Sequence, residues 1–360
     1  LVSSELKKNI QRNVFLINKN IESLFSNDLF FSKFFQIQNN SFWKVFSPYF
    51  IKFFKKRTRE NIFEIELACE LFKKFDFSLV VINNEVGPNE KIISQLSKAR
   101  KIPIFLNQHG LIFDTKEAFQ MNMHHGIIPR ISDYSVVWGE VDYEYRKSIG
   151  INEGTIFTVG SPIYDNFINS IEPYHETDYV LLATSGPTKE NIFDLSIETI
   201  QKNIQTIRSV CKILTKINKK LIIKIHPSPD EFDPTEIANA INPKIKIVKS
   251  GKISTLIKNS KFVIVIDFSS VILDSYLLNK PVISLSVKNN EFGIPFAFKN
   301  NSCICTNVDE LEKIIHLLDD QKFYNEMVEN GKKSASKYLT TTNSSKKLYN
   351  LLSNFDFNKT

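Results

Sequence analysis

The spacing of apolar residues in this chain changes at about residue 76. Before it, apolar residues recur at helical intervals: Phe30, Phe31, Phe34 and Phe35, then Phe50, Phe53 and Phe54 within FIKFFKK. This predicts helices with one apolar face. Such a face either packs on a core or, flanked by lysines, rests on a membrane surface. From residue 76 onward, short unbroken apolar runs alternate with helical segments. Unbroken runs suit strands buried on both faces of a parallel sheet. The first half carries them at 77–83 (FSLVVIN), 102–106, 134–138 and 156–159, with helices over 89–101 and up to Ile149. Gly160-Ser161-Pro162 interrupts the alternation. A second array follows, with strands at 179–184 (YVLLAT), 221–225, 245–248, 262–266 and 281–285 and helices at 190–217, 235–241, 253–259 and 271–278. Cys303–Cys305 reads as part of a further strand, and 309–352 as terminal helices. The pattern predicts an α/β protein of two doubly wound domains facing a cleft. A helical segment, 1–75, opens the first domain, 76–165. A crossover at 166–178 leads to the second domain, 179–340, and a C-terminal helix and tail occupy 341–360.

At 360 residues the chain suits two domains better than one core. No apolar run approaches the roughly 20 residues that span a bilayer, and the N-terminus lacks a secretory signal's apolar core and cleavage site. The expectation is a cytoplasmic protein able to dock peripherally at the inner face of the cell membrane. The first residue is Leu, so a preceding segment is left open. The net charge of +7 comes mostly from lysines scattered along the chain, without a zinc-finger, RNP-like or basic-zipper pattern. That argues against nucleic acid and for an anionic substrate or membrane surface. Cys69, Cys211, Cys303 and Cys305 lack zinc-site spacing and read as reduced thiols.

The candidate chemistry sits at strand ends, where open α/β sheets bind ligands. The run 221–225 ends in His226-Pro227, and the proline biases His226 toward an extended backbone. The run 262–266 ends in Asp267-Phe268-Ser269-Ser270 and enters a helix. Hydroxyls and free N–H groups there suit phosphate, although a serine there can also be a simple helix cap. Asp274 shares the helical face of Ser270 and can accept from a ribose hydroxyl, or be a solvated acid. Ser185-Gly186 ends the run 179–184, where glycine permits close backbone approach. In the first half His109-Gly110 and Glu85 end two strands. Either could remove a hydroxyl proton, and His109 has the more suitable ordinary pKa; as plain turn residues, neither would. His124-His125 lacks a third metal ligand, and no Asp-X-Asp motif is present, so no metal or other cofactor is expected. No Gly-X-Ser-X-Gly elbow marks a nucleophilic serine.

A strand ending in His-Pro followed by a strand ending in Ser-Ser resembles the nucleotide-binding domain of GT-B glycosyltransferases. More narrowly, it is similar to the CDP-glycerol glycerophosphotransferases of teichoic acid synthesis and to capsule polymerases using CMP-activated acidic sugars. The resemblance spans about 76–340. It implies that His226, Pro227, Ser269 and Ser270 contact a cytidine nucleotide and that His109 faces the acceptor. Asn84-Glu85-Val86-Gly87 resembles the acidic-acidic-glycine motif of the sialic-acid polymerases, with Val86 departing from it. GT-B enzymes generally stabilise the leaving phosphate with protein groups instead of a metal. The implied function is transfer of a glycosyl or glycerol-phosphate group from a CMP- or CDP-activated donor to a surface polysaccharide or related polymer. The alternatives are a UDP-sugar 2-epimerase, which needs several cleft acids and histidines, and a non-catalytic nucleotide-binding subunit.

Overall fold

The N-terminal helices close around one tryptophan. In the computed structural model, which describes residues 4–167, 176–184, 197–228, 231–287, 291–339 and 343–355, helices α1 (Ser4–Phe25), α2 (Asp28–Phe34) and α3 (Trp43–Lys74) are joined by a small hairpin, β1 (Gln36–Ile37) and β2 (Asn40–Ser41). The hairpin turn places Gln38 and Asn39 at positive φ (50° and 66°), the geometry that matches strand twist in two-residue turns. Trp43 is fully buried. The rings of Phe31 and Phe35 stack on it at 4.7 and 5.1 Å, and its Nε1–H donates to Asp28 Oδ1 at 3.1 Å. The phenylalanine repeat is therefore split. Phe31, Phe35 and Phe50 pack inward, while Phe30, Phe34 and Phe53 are exposed.

The first four α/β strands are β3 (Val80–Ile82), β4 (Ile104–Asn107), β5 (Tyr134–Val137) and β6 (Ile156–Thr158). They lie in that order in one sheet, with parallel registers between β3 and β4 and between β5 and β6. Helices α4 (Pro88–Ala99) and α6 (Glu140–Ser148) follow β3 and β5. A short helix, α5 (Phe119–His124), lies between β4 and β5.

The larger sheet contains β7 (Tyr179–Ala183), β8 (Leu221–Lys224), β9 (Lys246–Val248), β10 (Ser260–Ile266), β11 (Val282–Leu285) and β12 (Cys303–Thr306). Its order is β12-β11-β10-β7-β8-β9, and every neighbouring pair is parallel. This is the doubly wound order, in which the chain leaves the central strand toward one edge and returns to build the other. Alternate residues feed opposite faces. Val180, Leu182, Ile223 and Ile264 pack with Ile207, Val210 and Leu214 of α7 (Ile197–Lys216) and with Ala238 of α8 (Thr235–Ile241). Leu181, Ile222, Val263 and Val265 pack with Leu256 and Ile257 of α9 (Ile253–Asn259) and Ile272 and Leu273 of α10 (Val271–Leu277). With both faces covered, polar side chains are displaced to the strand ends. No described helix is long and apolar enough to cross a membrane. The chain forms two compact units, residues 1–106 with 129–134, and residues 107–128 with 135–360.

Glu85 corrects one expectation. It lies between β3 and α4, is buried, and accepts from the backbone N–H groups of Arg130 (2.8 Å), Ile131 (3.1 Å) and Ser132 (2.7 Å). A carboxylate holding three N–H donors clamps the loop before β5 and is not presented to a substrate hydroxyl. Glu85→Gln should therefore lower stability by about 1–3 kcal/mol, because an NH₂ group would replace an acceptor facing N–H donors. Turnover per folded molecule should be unchanged. Urea melts and an activity assay on the same preparation check this; a stable but inactive variant would return Glu85 to the catalytic machinery.

Candidate functional site

The switch point of the larger sheet lies between β7 and β10, and a pocket of about 340 Å³ opens at the carboxyl ends of its strands. That volume falls within the range of small-ligand sites. Its lining includes Thr184 after β7, Lys224, His226 and Pro227 at the end of β8, Lys249 and Gly251 after β9, and Ser269, Ser270 and Asp274 after β10. The His-Pro and Ser-Ser motifs, 43 residues apart in sequence, thus line one cavity.

His226 is held in a defined state. Its backbone N–H donates to Thr184 Oγ1 (3.2 Å), and the backbone N–H of Ser228 donates to its Nδ1 (3.2 Å). With Nδ1 acting as acceptor, the neutral ring carries its proton on Nε2, leaving that N–H as a donor. Lys224 was not singled out from sequence. It is buried, and its Nζ donates to the carbonyls of Ile225 (2.8 Å) and Lys249 (3.1 Å). Burial pushes its pKa down. The available signal was a lysine inside the apolar run LIIKI, a position that is costly for a charge without a role.

The turn after β10 is fixed by Asp267, which adopts a left-handed backbone (φ 53°). Its carbonyl accepts from the Ser284 hydroxyl (2.8 Å) and its Oδ1 from Val287 N–H (2.7 Å). Ser269 Oγ accepts from Val271 N–H (3.3 Å). Ser270 occupies the N-cap position without a side-chain cap bond, so its hydroxyl remains available to the pocket it lines. Because α10 spans only seven residues and its first-turn N–H groups are bonded to Ser269 and Ser270, the serine hydroxyl matters more here than a helix dipole. Asp274 is buried, and Tyr164 donates to its Oδ1 at 2.8 Å. Burial raises its pKa to about 6, against the lowering effect of the Tyr164 hydrogen bond. Tyr164, also missed from sequence, packs edge-on to Trp138 at 5.7 Å. Asp274 is thereby a positioned acceptor and not a solvated acid.

His109 is exposed on the loop after β4 and is not among the residues lining this pocket. The preceding Gln108 is buried; its Oε1 accepts from Trp138 N–H and its Nε2 donates to the Gly110 carbonyl, both at 3.0 Å. Farther along the loop, the Asp114 carboxylate accepts from Phe296 N–H (3.0 Å), and the Phe113 ring lies 4.5 Å from that of Phe268. The His109 loop is thus pinned to the turn that carries Ser269. Near Gln108, α6 buries Asp142 and Arg146. Burial pushes Asp142 up to about 7, with the Arg146 charge opposing it. Ser185 and Gly186 lie outside the described residues. His124 and His125 are exposed, and no described residues group into a metal site of three or more His, Cys, Asp or Glu.

No protein-family model matches this chain, and no curated protein matches it. Solved structures do. The S. aureus MnaA–UDP co-structure superposes with a TM-score of 0.61 at 16% identity, covering 82% of this chain and 80% of that one. A putative UDP-N-acetylglucosamine 2-epimerase from Listeria monocytogenes gives 0.61 at 16% identity, over 83% and 79% of the two chains. The Methanocaldococcus jannaschii UDP-GlcNAc 2-epimerase in complex with UDP-GlcNAc and UDP gives 0.54 at 19% identity, over 77% and 79%. At such identities the likeness establishes the fold: this chain has the GT-B-like architecture of two Rossmann-like halves.

Proposed function

We propose that this protein is an enzyme that binds a nucleoside-diphosphate sugar in the switch-point pocket and acts on the sugar. The observation that carries this reading is the convergence of Lys224, His226, Ser269, Ser270 and Asp274 on one cavity. The His226 Nε2–H and the Ser270 hydroxyl would donate to the diphosphate. Lys224 adds positive charge, and the second Asp274 oxygen would accept from a ribose hydroxyl. Charge-assisted donors of this kind stabilise a leaving phosphate without a metal.

Two chemistries fit the pocket. The first is isomerisation of a UDP-linked N-acetylhexosamine, favoured by neighbours that are UDP-GlcNAc 2-epimerases over about four fifths of the chain. The second is transfer from a CMP- or CDP-activated donor to a surface polymer, with His109 taking the acceptor's hydroxyl proton. One observation keeps the second in view. Inverting a C–H centre needs a base and an acid on opposite faces of the sugar, and Asp274 is the one carboxylate among the described residues lining the pocket. Fold likeness carries more weight, and isomerisation is the leading reading.

The nucleotide site is tested by melting with UDP, CDP, CMP, GDP and ADP. UDP should give the largest shift; saturation at about 100 times the dissociation constant adds roughly 2.7 kcal/mol. His226→Ala, and separately Ser269→Ala with Ser270→Ala, should weaken that nucleotide by about 10- to 150-fold, as expected for lost hydrogen bonds to a charged group. A flat panel, or variants with unchanged affinity, would reduce the motifs to structural turns.

The reaction is tested by incubating the protein with UDP-GlcNAc alone and following the C2 configuration by proton NMR. Epimer formation without an acceptor establishes isomerisation. Donor consumption only in the presence of a polymer acceptor, lost in His109→Ala with nucleotide affinity intact, establishes transfer. Nucleotide binding without either outcome leaves a binding subunit.

Asp274 predicts a pH dependence. Its folded pKa of about 6 lies above its ordinary 3.8, so between these values the folded state holds a proton that the unfolded chain releases. Its contribution to stability therefore falls as pH rises from about 4 through about 6. A ribose hydroxyl favours the ionised acceptor, so UDP affinity should rise over the same interval. Melting and titration of Asp274→Asn should lose both components; identical pH profiles in the two proteins would remove Asp274 from the site.

A further inference from the structure

One of the basic stretches of this chain lies in its N-terminal helices. Residues 28–59 hold seven Lys or Arg against one Asp, a net charge of +6. The single acid, Asp28, is engaged by the Trp43 indole. Lys55 and Arg57 are paired with Glu22 and Glu60. Lys33, Lys44, Lys52, Lys56 and Arg59 are exposed and have no salt-bridge partner among the described residues.

The same stretch exposes its largest apolar side chains. On α3, Val45 (76% exposed), Tyr49 (73%) and Phe53 (62%) recur every four residues and so share one helical face. Phe46 and Phe50, each one position on, pack toward Trp43. On α2, Leu29, Phe30 and Phe34 are exposed beside Lys33. Leaving rings and branched chains in water when the neighbouring rings are packed is unfavourable unless something covers them.

We infer that α2, the β1–β2 hairpin and the first half of α3 form a docking surface for an anionic phospholipid bilayer. Phe and Tyr side chains would enter the headgroup boundary, and lysines would reach the lipid phosphates along their alkyl stems. Charge complementarity selects this occupant over a second copy of the chain, because a self-complementary interface would set two strongly cationic stretches against each other. The inference does not rest on the nucleotide pocket.

The test uses the full chain in vesicle flotation. Phosphatidylcholine vesicles should capture little protein. Vesicles containing phosphatidylglycerol should capture most of it at low salt and release it at high salt. Replacing Lys33, Lys44, Lys52 and Lys56 by Gln should weaken binding about fivefold per lysine. Phe34→Ser, Val45→Ser, Tyr49→Ser and Phe53→Ser together should abolish binding. Both variants alter exposed residues, so the nucleotide melting shift should remain that of the parent protein and report an intact fold. Absence of binding, equal capture by neutral vesicles, or unchanged binding by either variant would overturn the inference. So would a concentration-dependent dimer that the apolar variant dissolves, which would make a second copy the occupant. Loss of UDP binding with vesicle binding retained would sink the nucleotide site and leave this surface standing.

Discussion

The larger sheet is buried on both faces, and the candidate site depends on that constraint. Six parallel strands covered by helices carry mainly apolar side chains along their length. The polar groups of the pocket gather at the carboxyl ends, where reversal of strand order between β7 and β10 opens a space. Thr184, His226 and Ser269 come together because they follow β7, β8 and β10, three neighbouring strands around that reversal.

Within the pocket, positioning is achieved by backbone hydrogen bonds more than by side-chain pairs. Thr184 and Ser228 orient His226, Val287 and Ser284 hold the Asp267 turn, and two carbonyls hold Lys224. Such contacts fix the side chains that line the cavity, and polar groups fixed in advance need little reorganisation to meet a charge. Asp274 is the counterpart acceptor, fixed by Tyr164 from outside the sheet. The result is a pocket lined by oriented polar side chains and one positioned carboxylate.

The N-terminal unit is organised by a different principle. One buried indole recruits rings from α1, α2 and α3, and the remaining rings of the same helices are left facing out among lysines. Packing and surface exposure are two sides of one helical repeat.

The sequence by itself determined the strands and their class. The run YVLLAT becomes β7, LIIKI ends in β8, and the segments 235–241 and 253–259 are helices with those bounds, because unbroken apolar runs and helical spacing are local properties of the chain. It also located the His-Pro and Ser-Ser motifs at strand ends. Tertiary structure decided what local pattern cannot encode. Glu85 looks like a free acid in sequence, but the loop at 130–132 supplies three N–H donors from across the fold. Asp274 looks like a surface residue until Tyr164, 110 positions away, bonds to it. Lys224 looks like an interruption of a strand until the cavity forms beside it. Each of these roles depends on partners distant in sequence, whose positions are set only when the sheet has closed its order.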